Sequence, residues 1–105
     1  MSDAVTKLRA EVTERVLSGA GTASPDRRRA AFDNKNVEEP ARALVDKVAR
    51  TAWKVTDEDV AAAKAAGLSE DEIFELTVAA AIGQSTRQLI RALTAVEQAF
   101  AESTS

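Results

Sequence analysis

From Glu70 to about Ala101 the chain has no proline and one glycine, Gly83. Nothing in that stretch breaks a helix, since a lone glycine costs only about 1 kcal/mol relative to alanine. At about 1.5 Å per residue the rod is on the order of 45 Å long, more than the width of a domain of this size. Its first part, "IFELTVAAAIG", is apolar nearly all round. A helix with no polar face is buried on every side. Ala79, Ala80, Ala81 and Gly83 would let another backbone approach closely. No preceding segment obviously covers that circumference, so the rod predicts a subunit interface and a homo-oligomer built on it.

The remaining sequence is consistent with helices throughout. One hundred and five residues make a single domain with one modest core. That core is mostly Ala, Leu, Val and Ile, with four aromatics, four glycines and two prolines in the whole chain. The expected fold is an all-α, single-domain helical bundle (1–105), with N-terminal helices and a connector over 1–36 and a helical core over 37–105. Within the core, a helix–turn–helix spans 57–66 and 70–101. Small side chains bury little area each, which also favours self-association.

What is missing narrows the chemistry. The chain has no cysteine, histidine or tyrosine. Thiolate nucleophiles and thiolate metal sites are therefore excluded, and acid–base catalysis near neutral pH would need a pKa-shifted carboxylate or lysine. No cofactor is expected. A net charge of −3 gives no reason to expect nucleic acid or an anionic membrane as partner. No apolar run approaches a membrane span and the N-terminus lacks a signal-peptide pattern, so the cytoplasm is the expected location.

Residues 3 to 17 read as an amphipathic helix with Val5, Leu8, Val12 and Val16 on one face, stopped by Gly19 and Gly21. Ser24-Pro25-Asp26 opens a short helix with a capping serine, a proline at the first helical position and an acid in the first turn. That helix carries Arg27-Arg28-Arg29, expected as a solvated face, and ends near Asn34. "DNKNVEE" is a polar connector. Pro40 begins a third helix with Leu44, Val45, Val48, Ala49 and Ala52 on one stripe. It ends by Trp53, which is expected to plug the core or an interface.

Two acidic clusters then repeat one pattern, Val55-Thr56-Asp57-Glu58-Asp59-Val60 and Leu68-Ser69-Glu70-Asp71-Glu72-Ile73. A Ser or Thr cap with an acid three residues on satisfies two otherwise unpaired N–H groups reciprocally. Thr56 with Asp59 and Ser69 with Glu72 have that spacing, and Val55–Val60 and Leu68–Ile73 are placed to staple across the caps. Gly67 sits where a left-handed C-cap is needed. The clusters lack the glycine-punctuated oxygen loop of a calcium site, and adjacent acids on a helix point apart, so no metal is expected.

The long helix changes character after Gly83, where Gln84, Ser85, Thr86, Arg87, Gln88 and Arg91 interrupt its apolar residues. Arg87 and Arg91 lie one turn apart on one face. They can form a solvated stripe, pair with Glu97 or the Glu72–Glu75 region, or grip a small anionic ligand, since guanidinium forks suit carboxylates. The candidate ligand-binding residues are therefore Glu72, Gln84, Arg87 and Arg91. No catalytic or metal-binding residue is assigned.

The frame "V-T-x-x-D-V…AAGLSEDEIFEL…AAA", roughly residues 43 to 96, resembles the carboxymuconolactone decarboxylase and alkylhydroperoxidase-D-like superfamily. The N-terminal "VLSGAG…RRRAAF" is similar to its short members. The resemblance implies an all-helical fold that assembles into dimers, trimers or rings through its long helices. It does not bring the chemistry with it. With Gly83 aligned to the residue before that family's Cys-x-x-Cys, the thiol positions fall on Gln84 and Arg87 and the histidine position on Arg91, and only Glu72 matches. Three functions remain open. They are a non-catalytic oligomeric scaffold or binding protein, a thiol-independent enzyme or anion binder using Arg87 and Arg91 with Glu72 or Glu75, and an accessory subunit docking through 73–82.

Overall fold

The computed structural model describes residues 3–104, apart from a few side chains near the two ends. Five helices follow in order: α1 (Asp3–Ser18), α2 (Pro25–Asp33), α3 (Arg42–Thr51), α4 (Asp57–Ala65) and α5 (Glu70–Thr104), with a 3-10 turn at Ala52–Lys54 between α3 and α4. There is no strand among the described residues. The expected all-α bundle and its helix–turn–helix are therefore present, with α5 running a little beyond the expected end. The molecule measures 57 × 28 × 22 Å. The long dimension belongs to α5, whose 35 residues span about 50 Å.

Local chemistry sets the helix ends. Ser24 accepts from the N–H of Arg27 with Pro25 at the first position of α2, and Asn34 closes that helix in the left-handed region at φ 51°. Both acidic clusters form complete capping boxes. The N–H of Asp59 donates to Thr56 Oγ1 at 3.3 Å, and the N–H of Thr56 donates back to Asp59 Oδ2 at 2.9 Å. The N–H of Glu72 donates to Ser69 Oγ at 3.1 Å, and that of Ser69 donates to Glu72 Oε1 at 3.2 Å. Leu68 and Ile73 are buried across the second box, and Val55 and Val60 pack on the core across the first. Gly67 takes φ 114°, which an L side chain rarely adopts. Among the described residues no group of acids is arranged to hold a metal.

The core is one cluster in which α2 and α3 lie against the first half of α5. Leu44, Val45 and Val48 of α3 meet Ile73, Leu76, Ala79 and Ala80 of α5, with Ala31 of α2 and Leu68 closing the sides. The connector contributes too, because Val37 inside the polar "DNKNVEE" is buried.

As expected, the chain does not cover the whole circumference of the 73–82 stretch: Phe74 is 70% exposed and Ala81 is exposed, while Ile73, Leu76, Ala79 and Ala80 are buried. Several other expectations are corrected. The backbone that comes close at Gly83 belongs to α2, where the carbonyl of Phe32 occupies the space of a side chain. The arginine run is not one solvated face. Successive helical residues point about 100° apart, so Arg28 is buried at 4% exposure, Arg27 is half-buried against Glu72, and only Arg29 is exposed. Trp53 is 79% exposed and plugs no core, because the 3-10 turn carries it away from the α3 stripe. Ala52, expected on that stripe, is exposed for the same reason. Among the described side chains of α1, Val16 packs on the core while Leu8 and Val12 remain exposed; the side chain of Val5 lies outside the described residues.

Candidate functional site

Three of the four sequence-selected residues come together. Gln84, Arg87 and Arg91 line an open polar cavity of about 420 Å³ with Asp33 and Asn34 from the end of α2 and Arg50 from the last turn of α3. Two features build it. Glycine at 83 lets α2 end directly against α5, which brings Asp33 and Asn34 to the foot of the Arg87–Arg91 face. The αL turn at Asn34 then sends the chain away and back, so that the C-terminal end of α3 returns to the same place.

Inside the cavity the guanidiniums are held to different degrees. Arg87 donates to the carbonyl of Phe32 at 2.6 Å and to Gln84 Oε1 at 3.1 Å. Those two bonds fix its plane and leave further N–H donors unused. Arg50 is tied through its Nε, which donates to Asp46 Oδ1 at 2.7 Å, while Asn34 Nδ2 donates to the same oxygen at 3.2 Å. The Asn34 bond first, and Arg50 next, hold the Asp46 carboxyl below its ordinary range. Arg91 has no hydrogen-bond or ion-pair partner among the described residues. The neighbouring carboxylate, Asp33, accepts from Arg29 Nε at 3.1 Å. Neither arginine of α5 pairs with Glu97 or the Glu72–Glu75 region among the described residues; Glu75 lies twelve residues before Arg87 on the same helix, about 18 Å along its axis.

Glu72, the fourth selected residue, is not part of this cluster. One of its oxygens closes the Ser69 cap and the other accepts from Arg27 at 2.7 Å. The Ser69 N–H bond, and secondarily the Arg27 guanidinium, hold its carboxyl below the ordinary glutamate range. A general acid or base near neutrality needs the opposite shift, produced by burial without such partners. Glu72 is engaged as a cap and an ion-pair partner. Glu75 is also committed. It accepts from the N–H of Thr22 at 2.8 Å and of Ala23 at 2.9 Å, clamping the α1–α2 connector to α5.

Arg50 and Asn34 were not among the residues selected from sequence. The helix stop at Asn34 was legible, but no local pattern says that the last turn of α3 returns beside Arg91. A second cavity of about 700 Å³ adjoins through Asn34 and Arg50, but its charges cancel, with Arg42 paired to Glu39 and Arg50 to Asp46.

A different surface lies at the free end of α5. Ile82, Leu89, Leu93, Val96 and Phe100 follow one another at intervals of seven, four, three and four residues, which keeps them on one helix face. Every residue from 91 to 102 is exposed, Phe100 to 68%. The stripe begins at a recess of about 220 Å³ where Leu8 and Val12 of α1 meet Ile82.

No protein-family model matches the chain. No curated protein matches it, and no solved structure does. Among the described residues no helix is long and apolar enough to cross a membrane.

Proposed function

We propose that this chain is a non-catalytic, self-associating helical protein of the cytoplasm, a short relative of the carboxymuconolactone decarboxylase and alkylhydroperoxidase-D-like superfamily that serves as a scaffold or binding partner. The observation that carries the reading is the free end of α5. Leu93, Val96 and Phe100 stand in one stripe on a stretch of helix, residues 91–102, in which every residue is exposed. Single exposed apolar residues are ordinary on a surface. A periodic stripe from Ile82 to Phe100, about 27 Å long and continuous with exposed Leu8 and Val12, is the pattern of a helix that packs on another helix. A second copy is the economical occupant, since most soluble oligomers are symmetric assemblies of one chain.

The absence of cysteine, histidine and tyrosine supports a non-catalytic role, as does the engagement of Glu72 and Glu75 in caps and clamps. The superfamily relationship rests on the 43–96 frame and on the all-helical fold, and it supplies the expectation that long helices mediate assembly.

Light scattering across micromolar to millimolar concentrations tests the reading. The expected mass exceeds that of one chain and falls to one chain in a Leu93→Glu, Phe100→Glu variant with unchanged helical content. A wild-type protein that remains a monodisperse monomer throughout the range rules it out.

A further inference from the structure

We infer that the cavity between the end of α3 and the middle of α5 binds a small oxyanion carrying carboxylate or phosphate groups, gripped by Arg50, Arg87 and Arg91 together. The inference is independent of self-association and rests on how these three side chains converge from two helices.

Charge is the first argument. The cavity gathers three guanidiniums; Arg50 is paired with Asp46 and the cavity's own carboxylate, Asp33, is held by Arg29, so among the described residues Arg87 and Arg91 are left without a carboxylate. The adjoining cavity pairs every arginine with an acid, so the excess is local to this one. Like charges brought together on a chain of net charge −3 are unfavourable unless something neutralises them. An anion of two or more charges does so.

Geometry is the second. Arg87 is oriented before any ligand arrives, by the Phe32 carbonyl on one nitrogen and the Gln84 amide oxygen on another. Arg50 is anchored at Nε by Asp46, which leaves its terminal nitrogens to point elsewhere. Arg91, one turn above Arg87, has no partner among the described residues. Two anchored forks and one free fork form a clamp in which the free arm closes last. Guanidinium forks match carboxylate and phosphate oxygens in pairs. A volume of about 420 Å³ suits a small molecule rather than a polymer. No aromatic side chain lines the cavity, so a nucleobase has nothing to stack on.

Arginine Nε–H and backbone amide resonances report binding directly. Inorganic phosphate and succinate are titrated separately, at ionic strength held constant with sodium chloride. Saturable shifts are expected at Arg50, Arg87 and Arg91 with at least one of the two. Saturation by phosphate alone assigns a phosphate-bearing ligand, by succinate alone a dicarboxylate, and by both the shared oxyanion chemistry. Arg91→Gln should weaken the saturating anion about tenfold or more while leaving the fold intact, because that side chain has no structural bond to lose. Arg50→Gln should weaken it similarly, and Arg15→Gln, outside the cavity, should not. The inference is overturned if neither anion saturates, or if Arg91→Gln and Arg50→Gln titrate like wild type.

Discussion

Gly83 of α5 and the carbonyl of Phe32 at the end of α2 meet backbone to backbone, with no space for a side chain between them. The same carbonyl oxygen accepts from Arg87, one turn further along α5. The crossing point of two helices and the anchoring of the central arginine therefore depend on one atom.

Gly83→Ala is consequently expected to destabilise the protein. Helix propensity alone would favour alanine by about 1 kcal/mol. A methyl group here overlaps backbone atoms, which cannot swing aside as a side-chain tip does, and overpacking of that kind costs typically about 1–3 kcal/mol. Urea denaturation reads the sign. A stabilised variant would mean that α2 and α5 do not cross at this point.

The two capping boxes should be separable. Thr56→Ala and Ser69→Ala each remove the side chain that accepts from the third residue of its helix, at a cost of about 1 kcal/mol. The sites lie at opposite ends of α4 and share no bond, so the double variant should lose about the sum. Thermal unfolding of the two single variants and the double variant checks both statements.

Four carboxyls lie below their ordinary range for named reasons. They are Asp46 through Asn34 and Arg50, Asp59 through Lys47 and the Thr56 N–H, Glu70 through Lys64, and Glu72 through the Ser69 N–H and Arg27. A carboxyl whose folded pKa is depressed contributes stability that is fully present above its unfolded value, about 4, and is lost as pH falls through the folded one. Melting temperature should therefore be insensitive to these groups near neutrality and fall from about pH 5 downward. Glu72→Gln should lower stability at pH 7 and flatten the acid slope. An unchanged slope would show that the Ser69 and Arg27 contacts do not form in solution.

Trp53 is the chain's one tryptophan and is 79% exposed. The emission of the single chain should be that of an indole in water and fully open to acrylamide. Trp53→Ala should change stability by no more than about 0.5 kcal/mol. If emission shifts to the blue as concentration rises, the side chain lies in the contact between copies.

Legibility in the sequence followed distance along the chain. Helix starts at Ser24, Thr56 and Ser69, and stops at Asn34 and Gly67, depend on residues within a turn of one another, and each is where capping chemistry puts it. Side-chain fates set by another element were not legible. Arg28 looks like its neighbours in the sequence, yet it faces α1, where it donates to the carbonyl of Val16 at 3.1 Å with its Nε left without a partner. Gly83 of α5 correctly signalled a close-lying backbone, but composition does not say whose, and it is α2 of the same chain. The candidate site divides the same way. Gln84, Arg87 and Arg91 share a helix face and could be chosen together, whereas Arg50 joins them through the turn at Asn34 and the return of α3.

The free end of α5 also sets a gradient in time. Below Gly83 the helix is braced by α2 and α3, while residues 91–102 are all exposed. Short unbraced helix is marginal in water, so amide protons there should trade with deuterium progressively faster toward Thr104 while those near Ala79 and Ala80 wait for the whole molecule to open. Contact with a second copy would slow the tip without altering the base, making the end of this helix a clock for assembly.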